Sequence, residues 1–394
     1  MKKTIILVSI FALLSGLALF VFRAGAVPPS VKPLTIGASK YDSVRAMCFS
    51  KQGYMLAGMT MSSGIGYVDA YLVSLGKNGS KKWENTFGGK EDDRIYGIIK
   101  SDEGYVLGGY TSSYGAGGND FYMIAVNEKG DLKFTKTFGG AGRDEAKAVV
   151  RASDGGYLIA GLSDSFKKAG SPRLYAVKTD ASGNSLWSVT YGGDIYDEAS
   201  GVINAVDGGY ILCGTTKSPG SGMQDMLLLK IDTRGNTVWS KTYGGKQPDF
   251  GNNVINTDDG GYAIIGSSGS FGNNNNSDIY LVKTDADGDC VWARTYGGLG
   301  IDQGVTVINS GDGGYVLGST SESFSYGSSD LLVIAVDSNG NSLWTKHFGG
   351  KEDDYLGAIL KEKDGNYAIC GWTASSGAGE YDGYFLKIKK NGEF

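Results

Sequence analysis

Residues 259–298 read DGGYAIIGSSGSFGNNNNSDIYLVKTDADGDCVWARTYGG. The stretch holds a DGG turn, a short apolar strand ending near Gly266, a polar loop, the strand DIYLVKT, a DADGD turn and a strand from Val291 to Tyr296 that runs into Gly-Gly. The same order recurs along the chain. An aromatic followed by Gly-Gly returns at Gly88, Gly139, Gly192, Gly244, Gly297 and Gly349, and Gly37 in Ile36-Gly37-Ala38 begins the series, with intervals of 51, 51, 53, 52, 53 and 52 residues. After each Gly-Gly comes xxxD and another apolar stretch, so each unit carries four strands separated by turn signals. A period of this length built only from short strands excludes helical repeats and fits a propeller blade. The expected fold is therefore an all-β, seven-bladed β-propeller with four antiparallel strands per blade.

Working outward from the unit, Tyr54, Tyr105, Tyr157, Tyr210, Tyr262, Tyr315 and Tyr367 hold the start of the second strand in every blade and read as packing residues. The Gly that ends this strand, as at Gly161, reads as a point of close approach between blades. The last unit stops at Phe394 without its fourth strand. Val31 to Ile36 supplies the missing piece, because Thr35 matches Thr86, Thr137, Thr190, Thr242 and Thr295. Residues near 31 to 37 are thus expected to complete the seventh blade and close the ring, the N-terminal strand joining the last sheet.

Lys2 and Lys3 precede an apolar run from Thr4 to Phe22, followed by Ala24-Gly25-Ala26. Residues 1–26 read as a signal peptide, with an uncleaved membrane anchor as the alternative, and 27–394 as a single propeller domain. The expected location is secreted, periplasmic or cell-surface, with membrane contact only through an uncleaved N-terminal segment. Without residues 1–26 the chain keeps 34 basic and 42 acidic residues, a net charge of −8, which argues against a nucleic-acid partner. The single His excludes every motif that needs two. Cys48, Cys213, Cys290 and Cys370 have no paired spacing and read as buried apolar side chains rather than a disulfide framework. A monomer is expected.

The repeat resembles that of secreted bacterial and archaeal proteins built of DGGYxxxGxTxSxGxGxxDxYLxKxDxxGxxxWxxTYGG units, and more distantly that of quinoprotein-type propellers. The resemblance covers about 360 residues, is specific for fold and implies no single activity.

Antiparallel strands put the DGG and DxxGN turns on one face and the polar loops with the GGxxxD connections on the other. Tyr114, Phe166, Phe271, Phe324, Tyr326 and Tyr381 stand in those loops among Ser, Gly and Asn, a composition suited to sugar stacking or protein docking; the alternative is that each ring tucks against the neighbouring blade. Asp42, Asp93, Asp144, Asp197, Asp249, Asp302 and Asp354 repeat in all seven blades. They read as structural, capping the turn or bonding Ser62, Ser113, Ser165, Ser218, Ser270, Ser323 and Ser375, with cation collection as the alternative.

Departures from the repeat are where function is to be sought. A second Asp opens the third strand except in blade three, where Arg173 stands, with Lys167 and Lys168 nearby; an anion or acidic partner is one reading and a solvated charge run the other. Asn273 to Asn276 read as a loop tip. Asp285 to Asp289 and Asp337 to Asn341 begin like calcium loops but lack the Glu at the twelfth position, so no cofactor is expected and calcium stays a minor alternative. A quinone cofactor would need a pocket-building insertion, and the units keep nearly equal length.

The leading expectation is a binding module for a glycan or protein partner. The alternative is a glycoside hydrolase of the endoglucanase kind working on carboxylates alone, with Glu322, Glu380 and Glu198 as candidate acids. His347, where other blades have Thr, reads as structural.

Overall fold

The computed structural model describes residues 33–166, 171–193, 195–217, 223–273 and 276–394. The segment 1–26 therefore lies outside the described residues, as do Lys167, Lys168, Ser218 and two residues of the Asn273–Asn276 run. The described residues form seven four-stranded antiparallel sheets. Blade one shows the plan, with β2 (Asp42–Phe49), β3 (Gly53–Thr60), β4 (Asp69–Gly76) and β5 (Lys81–Phe87) paired in that order. The first strands contact one another around the axis and form the inner wall. Fourth strands such as β5 are outermost, with many exposed residues.

The seventh blade is built from both ends of the described chain. Strand β1 (Leu34–Ile36) pairs antiparallel with β28 (Asp382–Ile388), whose neighbours are β27 (Tyr367–Thr373) and β26 (Asp354–Lys361). Leu34, Thr35 and Ile36 lie opposite Phe385, Tyr384 and Gly383. The ring is closed, as the alignment of Thr35 predicts, and Ile36 is 1% exposed in the seam.

The core is divided into seven slices, one between each pair of adjacent blades. Second and third strands are therefore covered on both faces, which is why they read as continuous apolar runs rather than alternating ones. The seven strand-opening tyrosines are each at most 5% exposed. On the face of the DxxGN turns, a left-handed Gly of one blade lies against the outer-strand aromatic of the blade before it. Gly288, with φ +78°, would place a Cβ 2.9 Å from the Trp239 ring, and the carbonyl of Gly288 accepts a hydrogen bond from Tyr243.

Gly161 serves a different purpose from the one expected. A Cβ there would lie 1.9 Å from the carbonyl oxygen of Glu145, in the inner strand of its own blade, not in a neighbour. The inner strand β10 (Asp144–Arg151) has a bulge between Ala146 and Ala148 opposite Gly161 in β11 (Tyr157–Ser163). All seven inner strands are interrupted at this point; in six blades a glycine makes room for the neighbouring carbonyl, and in blade six Ser319 stands there. The cysteines are free, and Cys290 departs from the buried expectation, being exposed at the start of the outer strand β21 (Cys290–Tyr296), where the rim faces solvent.

Candidate functional site

The seven repeated aspartates frame the mouth of the channel. Each carboxylate is buried and accepts, at 2.7 to 2.9 Å, the N–H of the second residue of the Gly-Gly connection, Ala38 standing there in blade one. In six blades the loop serine donates to the same carboxylate at 2.5 to 2.7 Å, and in blade four Thr216 donates to Asp197. The carboxylates thus tie the loop and the connection together. Third-strand aspartates do the same for the loop ahead of them, as Asp120 does for the Ala116 N–H at 2.8 Å.

Around this constant frame, the positions just before, just after and three after the aspartate differ from blade to blade. The third of these is the bulge residue, and it is Arg45, Tyr96, Lys147, Ser200, Asn252, Val305 and Gly357 in turn. A bulge residue is unpaired in the ladder, and its side chain is free to be redirected. From blade seven through blade three these side chains join into one wall. Tyr41 packs on Tyr381 (4.9 Å between ring centres), Tyr381 approaches Tyr355 (6.3 Å), and Tyr355 stacks on Trp372 (5.3 Å, 16°). The Arg45 guanidinium follows, 4.4 Å from the Trp372 ring and 5.5 Å from Tyr96, and the Lys147 ammonium lies 4.2 Å from the centre of the Tyr96 ring. Tyr96 continues to Tyr110 at 6.1 Å.

Charges of both signs sit on the wall. Arg94 pairs with Asp92 at 3.0 Å and Lys147 with Glu145 at 2.8 Å, while Arg143 is 3.6 Å from Glu145. Burial pushes the Glu145 carboxyl up, but Lys147, Asn119 and Arg143 outweigh it and hold the group below the usual range. Burial raises the Tyr41 hydroxyl although Arg45 and Arg94 oppose it, and Tyr196 rises through burial and the nearby Glu198. Buried Arg45 Nε, Arg94 Nε and Asp353 Oδ1 have no hydrogen-bond partner. The mouth offers stacking surfaces with donors and acceptors interleaved among them.

Of the aromatics singled out from sequence, Tyr381 belongs to this wall. Tyr114, Phe166 and Phe271 lie over Tyr122, Tyr175 and Tyr280 in the third strand of their own blades, at 6.1, 4.9 and 5.4 Å, two strands out from the channel. The Tyr114 hydroxyl donates to the Gly88 carbonyl at 2.7 Å. Phe324 packs against the core between blades five and six, and Tyr326 bonds His347 Nε2 at 2.7 Å. Arg173 donates to the Gly192 carbonyl and lines a cavity of about 420 Å³ between blades three and four with Thr190, Asp197 and Thr216.

Glu322 and Glu380 are exposed on loops of blades six and seven, and Glu198 lies on the inner strand of blade four. Asp285 and Asp337 turn Oδ1 toward their own turn amides, at 2.8 to 3.0 Å. Among the described residues no three His, Cys, Asp or Glu are placed to hold a metal.

The wall residues Arg45, Tyr96, Lys147, Tyr355 and Trp372 were missed. Their signal was present in the second-strand glycine, which marks a bulge, and in the columns beside the repeated aspartate that fail to repeat.

No family model matches the chain. A stretch of 192 residues, 43% of the chain, is 27% identical to the regulatory protein FlaEY of Caulobacter vibrioides, and the match spans only 20% of that protein's length. Among solved structures the chain is similar to the WD40 domain of Neurospora crassa Pan2, with a TM-score of 0.53 and 10% identity, covering 88% of this chain and 91% of that one. It is also similar to a puromycin hydrolase, with a TM-score of 0.54 and 10% identity, covering 90% of this chain and 53% of that one. The two structural likenesses show the propeller fold alone.

Proposed function

We propose that the protein is an exported binding module that holds a glycan or protein ligand at the channel mouth, on the face carrying the GGxxxD connections. One observation carries this reading. Seven blades with a nearly constant frame set unlike side chains at the seven bulges, and the aromatic and cationic ones, Arg45, Tyr96 and Lys147, are gathered over blades one, two and three, next to the stacked Tyr355 and Trp372 of blade seven. Structural repetition alone would not gather them. The apolar N-terminal run and its small-residue end support export, as does the likeness of the repeat to secreted bacterial and archaeal propellers.

The test compares two variants for retention on immobilised polysaccharides and peptides, with reducing-sugar release followed in parallel. One variant carries Arg45→Ala and Trp372→Ala; the other removes the Tyr114, Phe324 and Tyr326 side chains. Loss of retention in the first and its persistence in the second is the expected result. The reverse pattern moves the ligand to the outer loops, and sugar release abolished by Glu198→Gln replaces the binder with a glycosidase.

A further inference from the structure

Resting on the channel-mouth reading, we infer that the ligand held there is a neutral, polyhydroxylated glycan, stacked on Tyr355 and Trp372 and fixed by the charged side chains beside them.

The platform is the first argument. Tyr355 and Trp372 stack nearly parallel, with ring centres 5.3 Å apart at 16°, and both are only partly buried, whereas the other residues of β27 are buried. Equivalent second-strand positions in the other blades, such as Met59, Leu162 and Ser267, are at most 8% exposed. Blade seven alone thus places a large, partly open indole at this position, and an apolar C–H face of a pyranose suits such a surface.

The second argument is the polar complement. Arg45, Arg94 and Lys147 supply donors, and Asp92, Asp353 and Glu145 supply acceptors along the same wall. With Arg143 beside Glu145 the wall carries four positive and three negative groups, a near balance that gives little selection for net ligand charge. A ligand carboxylate is drawn to the cations and repelled by the acids beside them, and an ammonium does the opposite. A hydroxyl donates and accepts, so one chemical group serves both.

The third argument concerns shape. An extended peptide binds most simply by adding a strand to an open sheet edge. At the mouth the available edges are those of the inner strands, and every one is broken by its bulge. A straight run of backbone donors and acceptors is missing there, while stacking and side-chain hydrogen bonds are in place.

The experiment is isothermal titration of the protein, purified from expression of the full sequence, with cellohexaose, xylohexaose, mannohexaose and chitohexaose, alongside a panel of acidic and basic peptides. At least one hexaose should bind and perturb tryptophan fluorescence. Trp372→Ala and Tyr355→Ala should each weaken it by about tenfold or more, and Trp372→Phe should keep much of the affinity while losing the fluorescence change. Tyr96→Ser, on a different blade, should also weaken binding and serves if the blade-seven variants misfold. Absence of binding to every hexaose overturns the inference. Peptide binding lost in the same variants overturns it too, yet leaves the mouth as the ligand site. Hexaose binding indifferent to all these variants overturns both.

Discussion

Lys283 shows how much a single repeated residue can depend on another. Its side chain is 5% exposed, and its ammonium donates to Asp259 of the DGG turn at 2.9 Å and to the Thr284 carbonyl. Although burial acts upward on Asp259, Lys283, Thr257 and the Gly261 N–H bring its carboxyl down to about 2. Removing the acid leaves a cation in an apolar slice, whereas replacing the lysine with an apolar chain of similar length removes both the charge and its need. Asp259→Ala should therefore cost about 1 to 3 kcal/mol and Lys283→Met clearly less. Urea unfolding of the two variants checks this, and equal losses would show that the aspartate matters only as a turn former. The DGG signature was legible as a turn, but the buried lysine it neutralises was not, because the KTD segment reads equally well as a solvated strand end.

Among the elements, β1 and the inner-strand bulges show what the sequence can and cannot disclose. The closing strand was readable because one threonine column fixed its register, and Leu34 to Ile36 pair as that column requires. Starting the chain at residue 40 removes this strand, exposes the edge of β28 and takes Ile36 out of the seam. The expected loss is about 3 to 6 kcal/mol, from one buried side chain and the ladder bonds, with self-association through the bared edge. Unchanged thermal unfolding and a monomeric profile in gel filtration would show that the ring does not need the strand. The bulges were not readable in the same way. Gly161 and its counterparts are repeated, so they look like packing residues, and only the paired register reveals that each faces a displaced carbonyl of its own blade. That misassignment is why the aromatic loop residues drew attention and the wall did not.

Across the whole molecule, acid pairs recur between blades. At Gly349 an added Cβ would meet Asp330 Oδ1 at 2.0 Å and Asp354 Oδ2 at 2.8 Å, so two carboxylates converge on one glycine. Burial raises the Asp330 carboxyl to about 7, with Asp354 and Asp353 adding to it and the Tyr326 N–H opposing; burial likewise raises Asp278 to about 6, with Asp302 beside it. Asp69 and Asp120 move the same way, next to Asp93 and Asp144. A folded state that holds these protons more tightly than the unfolded chain is stabilised fully below the ordinary aspartate range. It loses that stabilisation as pH rises through about 6 to 7. Groups held down by their partners, Asp259 and Glu145 among them, act in the opposite sense at lower pH. Melting temperature should therefore rise as pH falls from 8 to about 5 and drop again below about 4. Asp330→Asn, which mimics the protonated acid, should flatten the upper part of that curve, and a slope unaltered by this change would locate the titration elsewhere.

The inner-strand bulge has a further consequence, for how such a molecule can vary through descent. Each bulge separates a side chain from the pairing that holds the blade, since the ladder resumes on either side whatever residue stands between. Seven alphabets are thus set around one opening. A mutation at any of them changes what the opening presents and leaves the spelling of the blade alone. Units of nearly equal length can also trade places by recombination within the gene, carrying their one distinctive letter with them. A frame repeated from blade to blade and a mouth that differs from blade to blade then follow from the same backbone irregularity, and a new partner does not require a new fold.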